Sequence, residues 1–136
     1  MDTTIVNLTE EQRETLEDSL DAYDQAFIRF RLTGRISIGL MVGDTLVAGL
    51  DACMTAFKIL YVSTVFVEEQ YRRQGYGRLL MAEMERRAKE LGANTVRLDT
   101  FSWQGEAFYK ALGYEQVGRY ANQEDGYEEF FFMKRI

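Results

Sequence analysis

The chain has no histidine and no proline, one cysteine and one tryptophan among its 136 residues. Without histidine, neither a Cys–His nor a Ser–His–Asp nucleophilic site can be assembled. A histidine-ligated metal site is excluded for the same reason, and no metal is expected. Cys53 stands alone, so no internal disulfide forms. It reads as a small core residue rather than a nucleophile. No apolar run approaches the roughly 20 residues of a membrane span, and no membrane partner is expected. Met1-Asp2-Thr3-Thr4 lacks the basic-then-apolar pattern of a signal peptide, which leaves the cytoplasm as the expected location. The net charge of −6 argues against bulk nucleic-acid binding and for a cationic small partner.

What is present is ordinary in amount and informative in order. The chain is 46% hydrophobic and 28% charged, enough to bury the core of one domain, expected over residues 1–136. Thr4 to Leu8 reads as a short first strand. Thr9 follows as an N-cap with Gln12 three residues on, a capping-box spacing. Leu16, Leu20, Tyr23, Phe27 and Phe30 recur at helical spacing, as one bent helix or two. Arg35–Val42 and Thr45–Phe57 read as strands joined at Gly43-Asp44. Ile59–Val67 carries no charge, which predicts a central strand covered on both faces. Leu80, Met84, Ala88 and Leu91 line one face of a helix that Gly92 ends. Thr95–Thr100 alternates as a strand, and Ser102 stands as the cap of a short helix ending at Leu112-Gly113. Tyr114–Tyr120 and Tyr127–Lys134 close the chain as an antiparallel pair. Phe130-Phe131-Phe132-Met133 puts aromatics on both faces of the last strand, from which a homodimer is expected. The order predicts a mixed α/β (α+β) fold with helices packed on a sheet.

The stretch VEEQYRRQGYGRLLMAEMERRAKELG places two arginines and two close glycines between an apolar strand and a helix. A dinucleotide fingerprint fails, because the third glycine position holds Leu80 and three strands precede it. An RNA-binding strand fails because the residues after Gly77 have helical periodicity. A phosphate seat fits better. Backbone N–H groups at a helix start form a concave donor site at the positive end of the dipole. Gly75 and Gly77 carry no Cβ, so a phosphate can approach closely. Arg72, Arg73 and Arg78 add charge.

Arg72-Arg73-Gln74-Gly75-Tyr76-Gly77 resembles the Q/R-x-x-G-x-G/A motif of the GCN5-related N-acetyltransferases, the GNAT family. SWQGEAFYKALGY resembles the family's A-x-x-F/L-Y-x-x-x-G-F/Y segment. The resemblance covers roughly the last 80 residues. It implies a central, mostly antiparallel sheet of six to seven strands, with helices on both faces and one splayed parallel pair. It implies acetyl-CoA as cosubstrate, lying where the strands ending at Val67 and starting at Thr95 part. The backbone of Val65, Phe66 and Val67 would hold the pantetheine and the acetyl carbonyl. The N–H groups of Gln74, Gly75, Tyr76, Gly77 and Arg78 would hold the pyrophosphate, with Arg72 at the motif's Q/R position.

Many members carry an asparagine where this chain has Ser102, and Gln104 offers an amide two residues later. Tyr109 stands where relatives reach the CoA sulfur and is the expected catalytic residue. A phenol near ~10 against a thiol near ~8.5 makes full proton transfer uphill by about 2 kcal/mol, so Tyr109 is expected to act mainly as a hydrogen bonder. The amine would attack the thioester directly, with no covalent enzyme intermediate. Its proton needs a carboxylate, and Asp51, Asp99 and Glu124 stand unranked. The acceptor implied is a small amine or a peptide amine. A non-catalytic acyl-CoA-binding module, or a toxin acetylating charged tRNA, are the competing readings.

Overall fold

The computed structural model describes residues 1–28 and 32–136. Phe30, the last member of the helical stripe, lies outside them. Residues 1–30 and 31–136 are two compact units.

Among its described residues the first unit holds one helix, α1 (Glu10–Asp24). The Thr9 hydroxyl accepts the Gln12 N–H at 3.2 Å, and the Gln12 carbonyl oxygen accepts the Thr9 N–H at 2.9 Å, so the capping box is formed. Thr4 to Leu8 makes no strand; its exposed residues have no ladder partner.

The second unit is a sheet of six strands: β1 (Arg35–Val42), β2 (Thr45–Met54), β3 (Ile59–Val67), β4 (Thr95–Phe101), β5 (Glu115–Asn122) and β6 (Tyr127–Arg135). Their order across the sheet is β1-β2-β3-β4-β6-β5, and only β3 and β4 run parallel. Two helices join them, α2 (Tyr76–Glu90) before β4 and α3 (Glu106–Ala111) after it.

Strand alternation decides which side is core. Ile36, Leu50, Ala52, Leu60, Val62, Val96, Leu98, Phe130 and Phe132 point one way and pack with Leu80, Met81, Met84 and Ala88 of α2. Tyr109 of α3 lies on this same face, its ring centroid 6.2 Å from that of Phe132. Within this unit α2 and α3 both pack on this one face of the sheet. Cys53 lies on the opposite side of β2 from Ala52 and is exposed, so it is not the core residue that its chemistry suggested. β3 is central, yet only Leu60 and Val62 are buried, while Ser63, Thr64 and Phe66 are exposed. The uncharged run was thus not a sign of cover on both faces. β6 is internal; Phe130 and Phe132 are buried, and Phe131 faces the other way.

One polar group ties α2 to β6. Glu85 accepts from Lys134 Nζ at 2.9 Å and from the Tyr114 hydroxyl at 3.3 Å, all partly buried. Burial first, and the Glu85 charge second, push the Tyr114 phenol up. Glu85→Ala leaves a phenol and an ammonium without their acceptor. It is expected to lower stability by about 1–3 kcal/mol, read from the midpoint of urea unfolding.

Candidate active site

β3 and β4 pair over only three positions, Ile59↔Thr95, Leu60↔Val96 and Tyr61↔Arg97. Beyond Tyr61, β3 pairs with β2 alone, and beyond Arg97, β4 pairs with β6 alone. A bulge at Ser63 accompanies the parting, since Asp51 opposes Thr64 while Ala52 opposes Val62. A bulge adds one residue to a strand and bends it. The result is a gap in the middle of the sheet, edged on one side by Val65, Phe66 and Val67.

The chain leaves β3 at this gap and enters α2 through Arg72–Gly75. Arg73 has φ 62° and Gly75 has φ 83°. Two left-handed residues on either side of Gln74 bend the backbone sharply, a conformation of the kind that turns successive N–H groups toward one centre. No side chain caps α2. The N–H groups of Gln74, Gly75, Tyr76, Gly77 and Arg78 make no hydrogen bond among the described residues. Five donors at the positive end of a 15-residue helix form a seat for an anion.

The two glycines serve different ends. A Cβ on Gly75 would meet nothing within 4 Å, so Gly75 is needed for its left-handed φ and leaves the seat open. A Cβ on Gly77 would stand 3.1 Å from Phe108 Cζ. Gly77 therefore lets α3 pack on α2, a packing reason for the glycine beside the room for a phosphate expected from sequence.

The arginines divide as well. Arg72 Nε donates to the Val67 carbonyl at 2.8 Å, and its guanidinium lies 5.4 Å from the Phe66 ring centroid. It ties the loop to the strand end and occupies one of the backbone groups expected to bind pantetheine. Arg73 and Arg78 are exposed and form no ion pair among the described residues.

Ser102 does not cap α3. It extends the β4–β6 ladder: its N–H donates to the Glu128 carbonyl at 2.9 Å and its hydroxyl accepts the Glu128 N–H at 3.3 Å. The N-cap is Gly105, whose N–H donates to the Thr100 hydroxyl at 3.0 Å. Gln104 folds back, its carbonyl oxygen accepting the Phe101 N–H at 2.8 Å. Its amide N–H groups remain for an outside acceptor.

Tyr109 is buried, 8% exposed, between Phe108 and Tyr114. Its hydroxyl has no partner among the described residues, yet no buried side-chain oxygen is left unsatisfied there, so this oxygen meets solvent. Burial first, and the Asp99 charge second, push the phenol up to about 12.

Of the three candidate carboxylates, Asp51 is bound on both oxygens by Arg35, at 2.9 and 2.7 Å, which holds it below the usual carboxylate range. Glu124 lies in the β5–β6 turn. Asp99 accepts the Tyr61 hydroxyl at 3.1 Å, beside the last β3–β4 pair. Sequence reasoning missed Tyr61, which acts across strands on Asp99, and Thr100, whose hydroxyl accepts the Gly105 N–H at the start of α3.

Known proteins share this arrangement. A solved acetyltransferase from Bacillus cereus superposes with a TM-score of 0.91 at 28% identity, covering 98% of each chain. The acetyltransferase Atu2258 of Agrobacterium fabrum is 28% identical over 93% of this chain and 92% of its own length. The L-ornithine N5-acetyltransferase of Arabidopsis thaliana is 34% identical over 39% of this chain, a match spanning only 24% of that longer protein. The family model for the GNAT acetyltransferases matches residues 4–114. With its parted parallel strands and unpaired helix-start donors, the chain belongs to the GNAT acetyltransferase family.

Proposed function

We propose that the protein is an acetyl-CoA-dependent N-acetyltransferase acting on a primary amine of a small molecule or peptide. The observation that carries the reading is the row of unpaired N–H groups from Gln74 to Arg78 beside the β3–β4 gap. The row suits a pyrophosphate, and the gap suits an extended thiol arm leading from it. Arg73, Arg78 and the Gln74 backbone hold the diphosphate, while the Gln104 amide and the free edge of Val65 and Phe66 bond the pantetheine. The amine attacks the thioester directly, and Tyr109 hydrogen-bonds the sulfur as negative charge gathers on it. The ornithine-acetylating relative and the acidic net charge of −6 both support a small cationic acceptor.

The test is release of free thiol from acetyl-CoA against polyamines, amino acids, aminoglycosides and peptides. The expected result is amine-dependent turnover. CoA binding with no thiol release for any amine would make the protein a non-catalytic acyl-CoA module.

A further inference from the structure

The anion seat and Tyr109 stand with α2 and α3 on one side of the sheet. The other side of the gap has its own chemistry. Along β4, Leu98 and Thr100 are buried under the helices, while Arg97 and Asp99 are exposed on the far face. Asp99 is the first far-face residue of β4 after pairing with β3 ends at Tyr61↔Arg97. Its Oδ2 accepts the Tyr61 hydroxyl at 3.1 Å, and the Arg97 guanidinium lies 4.5 Å from the Tyr61 ring centroid. Tyr61 is thus held from both sides and fixes one carboxylate oxygen. The other oxygen, Oδ1, has no donor among the described residues. The Asp99 charge also acts on the Tyr109 phenol, which packs against Phe132 on the helix side of the sheet.

We propose that Asp99 receives the acceptor amine: Oδ1 accepts an N–H of the attacking nitrogen and takes the proton which that nitrogen sheds. This inference rests on the acetyl-transfer reading. It places the acceptor on the sheet face opposite α2. The ionisable groups around Asp99 are Tyr61 of β3, which donates to it, and Arg97 of β4, stacked on the Tyr61 ring; the Glu129 charge of β6 acts on Tyr61, and the Asp99 charge on Tyr109 of α3. Glu129 pairs with Phe101 and adds a second negative charge to a face with aromatic Tyr61, Phe101 and Phe131. Carboxylates among aromatic rings suit an acceptor that carries a positive charge beside its neutral attacking amine.

The proton balance sets when Asp99 acts. An ammonium has no lone pair with which to attack a carbonyl, so Asp99 does not act before reaction. The amine enters neutral. Its lone pair forms the C–N bond while the carbonyl π pair moves to oxygen. The nitrogen, now positive, is far more acidic, and its proton passes to Asp99 and then to water. The oxyanion reforms the carbonyl, the C–S bond breaks, and its electron pair leaves on sulfur beside the Tyr109 hydroxyl. Water protonates the thiolate.

The experiment compares wild type with Asp99→Asn, Asp99→Ala and Tyr61→Phe, using the best amine acceptor found. Asp99→Asn is expected to lower kcat by about 10²–10⁴-fold, the usual worth of acid–base help, with acetyl-CoA KM within about twofold of wild type. Imidazole in the buffer should restore part of the Asp99→Ala rate, a rescue that a merely structural role does not show. Tyr61→Phe should cost less, and nothing further in the Asp99→Asn background. A folded Asp99→Asn enzyme with wild-type kcat overturns the assignment, as does an Asp99→Ala enzyme that imidazole leaves unchanged. A wild-type protein that acetylates no amine overturns instead the acetyl-transfer reading on which the assignment rests.

Discussion

Replacing Gly75 with valine is expected to abolish CoA binding in a protein that still folds. Gly75 sits at φ 83°, and a β-branched residue there is strained by about 1–3 kcal/mol. Relief of that strain rotates the peptides on either side and turns the N–H groups of Gln74 to Arg78 away from a common centre. A hydrogen bond to a charged group is worth about 1.5–3 kcal/mol, so losing two weakens binding by more than about 10²-fold. No core contact is disturbed, because nothing lies within 4 Å of the added Cβ. Gly77→Val is the contrasting variant. Its Cβ meets Phe108 at 3.1 Å, so the expected loss is in thermal stability through a displaced ring. Calorimetry with CoA and a thermal melt on both variants separate the two roles. Unchanged CoA affinity in a folded Gly75→Val protein would remove the anion seat from the account.

Tyr109→Phe is expected to lower kcat about 10- to 100-fold while moving acetyl-CoA KM far less. That is below the ~10²–10⁴-fold of full acid catalysis, because in the proposed reaction Tyr109 bonds the sulfur without surrendering its proton. With the phenol pushed up to about 12, transfer to a thiolate of reference ~8.5 is uphill by about 5 kcal/mol. The pH dependence follows. Tyr109 stays protonated through the physiological range, so no alkaline limb of activity below about pH 10 belongs to it. In the folded protein it holds its proton between its unfolded value of ~10 and about 12, so its stability contribution is complete below pH ~10 and is lost as pH rises through 12. Tyr109→Phe keeps the ring among Phe108, Tyr114 and Phe132, so the melting temperature should move little. Wild-type turnover of acetyl-CoA by the phenylalanine variant, across pH, would leave sulfur protonation to water alone.

The elements themselves were legible because each has a local cause. The Thr9–Gln12 capping box, the Gly43-Asp44 turn, the 3.6-residue stripe of α2 and the Gly92 stop act over a few residues. β1 and β3 were bounded correctly from such signals alone. The uncapped, glycine-bearing start of α2 was legible too, since it is one continuous stretch whose glycine permits a conformation that other residues resist. What failed at this level were statements about cover. Cys53 and the second half of β3 looked buried from composition, but burial depends on which face of which neighbour lies opposite.

Tertiary structure alone decided the rest, because the remaining contacts join residues distant in the chain. Tyr61 reaches Asp99 across 38 positions, and Lys134 reaches Glu85 across 49. Arg35 engages both oxygens of Asp51 by an ion pair between neighbouring strands. Gly77 serves a ring on another helix, and Ser102 a ladder rather than a cap. A sequence carries spacing along the chain, which sets helix faces, turns and a backbone nest. Which charges meet across a sheet, and where two strands part, is settled by register and by a one-residue bulge, and neither leaves a periodic mark.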